Sequence, residues 1–221
     1  MLTAVHIPDA PDPVPGEVLD RLDPEEAALA RSLRMYRQVQ FVGGRLAMRA
    51  AFEQIGAAPA PVLSDDRGAP VLPSGLSGSI SHKRDLALAL VARDSHGTLG
   101  VDLEDYAPPR MGIIDRILVE EEQRTVEALA EDRRWIAVLL RFSIKEAIYK
   151  ALDPFVHRYV DFHEAVVTPD LHGWADVELR LKNGEGPFDV EARYEWLHGR
   201  IVTSVRIRRR EVARSEASAS S

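Results

Sequence analysis

Cysteine is absent from this chain. Its absence excludes disulfides, cysteine-ligated zinc and a thiol nucleophile. Apolar runs of membrane-spanning length are missing too. The opening segment MLTAVHIPDAPDPVPGEV has no charged region followed by an apolar block, so it does not read as a signal peptide. There is no excess of basic charge: 28 Lys+Arg stand against 35 Asp+Glu, a net charge of −7. That balance argues against nucleic acid as the main partner and leaves only a local basic patch open. No H-x-x-x-H or H-E-x-x-H spacing supports zinc, and neither a P-loop nor a G-x-G-x-x-G fingerprint occurs. What remains is 221 residues with 45% apolar content, enough for one domain or two small ones. A soluble cytoplasmic protein is the expectation.

Turn formers divide the chain. Pro8, Pro11, Pro13, Pro15 and Gly16 mark an extended loop. Asp23-Pro24-Glu25-Glu26 then starts a helix: Asp caps, Pro takes the first turn, and the acids suit the positive end of the dipole. The helical pattern runs to Gly56, with a break or kink allowed at Gly43-Gly44 unless something must approach the backbone there. Residues 57–78 read as a long loop. Three short strands follow at 77–82, 86–92 and 98–104, and Pro108-Pro109 interrupts the chain. Helical patterns cover 113–131 and 132–152. Beyond Pro154 the alternation predicts strands at 165–168, 175–182, 188–196 and 200–208, the last two joined at His198-Gly199. The order αα-βββ then αα-ββββ suggests a first lobe over 1–108, a second over 109–209, and a disordered polar tail over 210–221.

Two segments carry the chemistry. Asp102 and Glu104 in LGVDLE alternate with Val101 and Leu103, so both carboxylates leave one face of a strand. Alone, that pattern also fits a half-exposed strand. Glu146 lies in RFSIKEAIYKAL with Lys150 four residues on, either a solvated helix pair or the charged end of a helix lining a cleft. Leu139 and Phe142 share their stripe, and an apolar start to a charged stripe fits the cleft. Three carboxylates with nearby lysines are the material for a divalent metal that holds a phosphate. His82, with Lys83 and Arg84 after it, suits an anion or a solvated turn. Arg45 and Arg49, four apart, suit a helix face or a phosphate clamp. Lys145 fits either role.

In this order and separation, GSISH (78–82), LGVDLE (99–104) and FSIKEAIYKAL (142–152) resemble the 4′-phosphopantetheinyl transferases, most of all the monomeric Sfp-type branch that includes enterobactin synthase component D. GGRLAMRAAF (43–52) and RGAPVLPSGLSGSISH (67–82) match that branch as well, so the resemblance spans roughly residues 30–165. It implies an α+β fold, a pseudo-two-fold pair of lobes, each with a small antiparallel sheet and a long helix. Coenzyme A would lie between the lobes. Its 4′-phosphopantetheine arm would pass to a serine of an apo acyl or peptidyl carrier protein, releasing adenosine 3′,5′-bisphosphate. Carriers of siderophore, nonribosomal peptide and polyketide synthesis are implied, and a catalytically silent carrier- or nucleotide-binding module is the competing expectation. By motif position Asp102, Glu104 and Glu146 would bind Mg²⁺. Glu146 would also be the base, with Lys150 at the phosphates. Arg45, Arg67, His82, Lys83 and Lys145 would be the coenzyme A contacts. Lys83-Arg84 departs from relatives that carry a small residue after the histidine, which leaves the part of these two cations open.

Overall fold

The computed structural model describes residues 1–109 and 111–210. The tail expected to be disordered lies, but for Arg210, outside the described residues. In chain order the elements are β1 (Leu2–His6), α1 (Gly16–Leu19), α2 (Pro24–Ser32), α3 (Met35–Gln54), β2 (Leu63–Ser64), β3 (Pro70–Val71), β4 (Leu76–Lys83), β5 (Leu86–Arg93) and β6 (Thr98–Asp105). They continue with α4 (Ile114–Ile117), α5 (Glu120–Glu127), α6 (Glu131–Val156), β7 (Ala165–Pro169), β8 (Trp174–Leu179), β9 (Phe188–Leu197) and β10 (Arg200–Arg209). Two antiparallel sheets, ordered β1-β5-β4 and β6-β10-β9-β8-β7, are each covered by one long helix, α3 or α6. This is the α+β arrangement of two sheet-and-helix units. No helix among the described residues is long and apolar enough to cross a membrane.

Local chemistry explains most boundaries. Asp23 accepts from the Glu25 amide and Glu26 accepts from the Asp23 amide, so α2 starts on a reciprocal cap. The chain breaks at Leu33-Arg34 and not at the glycines; α3 runs through Gly43-Gly44 unkinked. Those glycines seat the helix on the sheet: a Cβ at Gly43 would collide with Ile7, and one at Gly44 would lie 2.9 Å from Ile80 Cγ2. The long 57–78 loop carries the small β2–β3 ribbon, whose turn presents Arg67. His198 and Gly199 both have positive φ, as a tight β9–β10 hairpin requires.

Three elements depart from the sequence reading. β1 is an edge strand on β5 that the proline-rich opening concealed. The expected helix over 113–131 is two short helices, because Glu122 turns back to accept the Val119 amide at 3.0 Å and starts α5 there. Pro154 does not end α6, which continues to Val156 so that Phe155 packs on Phe188 with ring centroids 5.1 Å apart.

β6 holds the two halves together. Pro108-Pro109, the seam suggested by sequence, leaves β6 with the first lobe, yet its ladder partner is β10, with Asp102 opposite Thr203. Its other side lies against β4, where the Val101 amide donates to Ser79 Oγ at 3.1 Å. Val101 and Leu103 join Leu88 and Val202 in a buried cluster. The alternate residues Gly100, Asp102 and Glu104 therefore turn the other way.

Candidate active site

α6 lies directly over that second face of β6. A Cβ on Gly100 would sit 2.8 Å from the Ala147 carbonyl carbon and 3.0 Å from the Ala151 amide nitrogen. Only glycine permits this approach, and it sets Glu146 and Lys150 beside Asp102. The signal was present in sequence as a glycine inside a strand, which marks close backbone contact.

Asp102 is 4% exposed and fully partnered. Its Oδ1 accepts from Lys150 Nζ at 2.8 Å and from Ser81 Oγ at 3.1 Å. Its Oδ2 accepts from Ser143 Oγ at 2.9 Å, and Ser143 is held in turn by Thr203. Ser81, Ser143 and Thr203 were not singled out from the sequence. Ser143 could have been, since it lies three residues before Glu146 on the same helix face. Lys150 also donates to the Val101 carbonyl at 2.9 Å. The segments 99–104 and 141–152, far apart in the chain, therefore meet through a direct ion pair.

Glu104 is half-buried and takes the Lys83 ammonium on both oxygens, at 2.8 and 2.6 Å. Glu146 is half-buried and forms no salt bridge among the described residues. Burial, reinforced by Asp102, pushes the carboxyls of both Glu104 and Glu146 above the ordinary glutamate value. Burial is the larger cause for both, the negative charge of Asp102 adds to it, and the nearby lysines offset it in part. Among the described residues no group of three acids or histidines is disposed to hold a metal ion unaided. The donor chemistry still fits a hard cation: Mg²⁺ favours oxygen ligands and is usually held by one or two carboxylates plus substrate phosphates and water.

A groove leads away from this cluster. One cavity of about 200 Å³ is lined by Arg67, Tyr149, Lys150 and Asp153. A second, of about 440 Å³, is lined by Arg37, Arg45 and His82. They share Gly68, Pro70 and Ile80 as a common wall, so the two lie side by side. Arg45 is buried, donates to Ser64 Oγ at 3.1 Å and stacks on Phe41, while its Nε has no partner. Burial lowers its guanidinium to about 10, against the pull of Glu26. An orphaned buried donor of this kind costs about 1–3 kcal/mol. Desolvation and the Lys150 charge lower the His82 pKa, although the residue as a whole is exposed. Arg37 joins this end and was not anticipated.

One expected contact stands elsewhere, and a second lines the groove with its charge already paired. Lys145 does not reach the groove. Its ammonium is buried on the far side of α6, 2.6 Å from Glu122 and 2.8 Å from the Ile117 carbonyl. Adjacent helical residues point about 100° apart, so Glu146 in the cluster turns Lys145 away from it. Arg67 lines the groove, but its guanidinium is taken by Asp153 at 2.9 and 3.1 Å and by Asp65 at 2.7 Å.

Charged residues converge on a cavity lined from both sheet-and-helix units, Arg67 from one and Lys150 and Asp153 from the other, an arrangement suited to a charged ligand. Comparison with known proteins makes this specific. The sequence model for the 4′-phosphopantetheinyl transferase N-terminal domain matches residues 25–92, and that for the 4′-phosphopantetheinyl transferase superfamily matches residues 98–205. The chain is 35% identical to 4′-phosphopantetheinyl transferase PptT of Mycobacterium tuberculosis over 158 residues, 68% of this chain and 67% of that one. It is 34% identical to 4′-phosphopantetheinyl transferase Svp of Streptomyces mobaraensis over 208 residues, 90% of this chain and 82% of the relative. It is 31% identical to enterobactin synthase component D of Salmonella typhi over 122 residues, 55% and 50% of the two chains. The chain belongs to the 4′-phosphopantetheinyl transferases, in the Sfp-type branch. It is an enzyme of that type.

Proposed function

We propose that this enzyme transfers the 4′-phosphopantetheine arm of coenzyme A to a serine hydroxyl of an apo acyl or peptidyl carrier protein, leaving adenosine 3′,5′-bisphosphate. The observation that carries the reading is the Lys150–Asp102 pair at the end of a groove with cationic groups along it. Arg45 and His82 bind the phosphates at the far end, Arg45 through charge and the His82 ring through a hydrogen bond. Arg37 lies close enough to contribute there. Lys150 neutralises the diphosphate as the bond to the bisphosphate breaks, and stabilising that charge is the larger part of catalysis in such a transfer.

Asp102, Glu104 and Glu146 would hold Mg²⁺ together with the substrate phosphates. The ion would neutralise the diphosphate and polarise the phosphorus under attack. Ser81 and Ser143 fix the Asp102 carboxylate in one orientation beside Lys150, which lines the groove. Glu146, with no salt-bridge partner among the described residues, takes the proton from the attacking serine, directly or through one water.

A cytoplasmic monomer acting on carriers of siderophore, nonribosomal peptide or polyketide synthesis completes the proposal; the component D relatives favour the first of these. Intact-mass measurement of an apo carrier incubated with the chain, coenzyme A and Mg²⁺ tests the reading. The carrier should gain one phosphopantetheine arm. Glu146→Gln should abolish that gain while coenzyme A still binds. Transfer by Glu146→Gln at the parent rate removes Glu146 as the base, and an unmodified carrier across a panel of acceptors sinks the whole reading.

A further inference from the structure

The proposed transfer leaves one cation at the acid cluster without a part. Lys83 is set by strand alternation and not by a free solvated arm. Ser79, Ser81 and Lys83 share the face of β4 turned to β6, where they meet the Val101 amide, Asp102 and Glu104 in turn. The Lys83 and Glu104 side chains are 36% and 12% exposed, so the pair is only partly screened. The next cation, Arg84, is engaged by Asp105 at 3.3 Å. The cluster thus holds three carboxylates, from Asp102, Glu104 and Glu146, and two ammonium groups, from Lys83 and Lys150. One negative charge remains for an incoming dication.

We propose that Lys83 is a resident counter-cation for Glu104 that opposes metal capture by the free enzyme. A divalent cation then binds tightly only when the diphosphate of the substrate arrives with it. The inference rests on the metal reading given under Proposed function. Its physical basis is charge: an ammonium in hydrogen-bond contact with a carboxylate competes for the same oxygens and repels a dication beside it. It agrees with the lack of a ready three-acid cage among the described residues.

The test is Mn²⁺ binding to the full chain, followed by electron paramagnetic resonance of the free ion, for the parent, Lys83→Gln and Lys83→Arg, with and without coenzyme A. Lys83→Gln keeps a donor and loses the charge. Without coenzyme A it should bind Mn²⁺ about fivefold tighter or more, an order-of-magnitude expectation for one charge removed at a partly exposed site. Lys83→Arg should bind like the parent. Adding coenzyme A should tighten Mn²⁺ binding more in the parent than in Lys83→Gln. Equal or weaker Mn²⁺ binding by Lys83→Gln in the free enzyme overturns the role of Lys83 alone. Absence of Mn²⁺ binding by all three proteins, even with coenzyme A, overturns the metal reading and this inference with it. Thermal unfolding of each variant shows that folded protein is compared; should Lys83→Gln fail to fold, Lys83→Ala serves with the same expected and overturning results.

Discussion

Gly100→Ala tests whether the approach of α6 to β6 sets the site. The new Cβ would overlap the Ala147 carbonyl oxygen and lie 2.8 Å from its carbon and 3.0 Å from the Ala151 nitrogen. All of these are backbone atoms, so no side chain can swing aside. Restoring ordinary contact moves α6 outward by roughly 1.5 Å. Ala147 follows Glu146 directly and Lys150 lies less than one turn further, so both are carried away from Asp102, which now accepts from Lys150 at 2.8 Å. Overpacking of this kind costs about 1–3 kcal/mol, small enough for a protein of ordinary stability to remain folded when cool. Misplacement by ~1 Å of groups that position a substrate can slow transfer about 10²-fold, or about 2.7 kcal/mol in the barrier. Urea denaturation and initial transfer rates at 15 °C, a chosen assay temperature of about that value, read the two effects separately. Gly43→Ala is the control, since its Cβ would meet Ile7 Cγ2 and Ala87 Cβ, away from the acid cluster. It should lose stability and keep its rate. A Gly100→Ala enzyme with parent rate and midpoint refutes the reasoning. So does a Gly43→Ala enzyme slowed as much, because general loosening would then set the rate.

Two stability predictions follow from buried acids. Lys145→Met strands Glu122 inside the protein, where it also holds the Val119 and Val167 amides, and should cost about 3–5 kcal/mol in urea denaturation; a loss under about 1 kcal/mol would show the pair to be dispensable. Glu164 concerns pH. Burial raises its pKa, but the Arg158 hydrogen bonds, the Lys182 and Asp161 amides and the Arg158 charge outweigh that and bring it from 4.5 to about 2. A folded-state value below the unfolded one stabilises above pH 4.5 and is lost as pH falls from 4.5 towards 2. The contribution is about 3 kcal/mol at neutral pH. Denaturation at several pH values should show the parent losing its advantage over Glu164→Gln across that acid range, and a constant gap between them would contradict the assignment.

Much of the fold was legible because alternation and turn chemistry agree. The strands of LGVDLE and of the last four β segments lie within a few residues of where the pattern put them. The reading failed where tertiary contact overrides local signals. β1 is short, sits before a proline-rich loop and gains its ladder from β5, nearly a hundred residues on. The break before α5 depends on the Glu122 side chain, whose other partner, Lys145, is remote in sequence. The site divides in the same way. Periodicity assigns faces, and it placed Asp102 with Glu104 and Glu146 with Lys150. It cannot assign partners. Lys150 therefore pairs with Asp102 and not with Glu146, and Lys83 with Glu104.

The position of β6 explains why these partners matter. β6 is hydrogen-bonded into the second sheet, lies against β4 of the first and is covered by α6. Its three inward residues do different work in order along the strand. Gly100 admits the helix, Asp102 joins helix to strand through Lys150, and Glu104 joins β6 to β4 through Lys83. The acid cluster is thus also the seam between the two halves. A ligand that draws either lysine away from its carboxylate loosens one of these joints as it binds. Substitutions at Lys83 and Lys150 should therefore weaken the contact of β6 with β4 and with α6, which a lowered urea midpoint would show and an unchanged one would contradict.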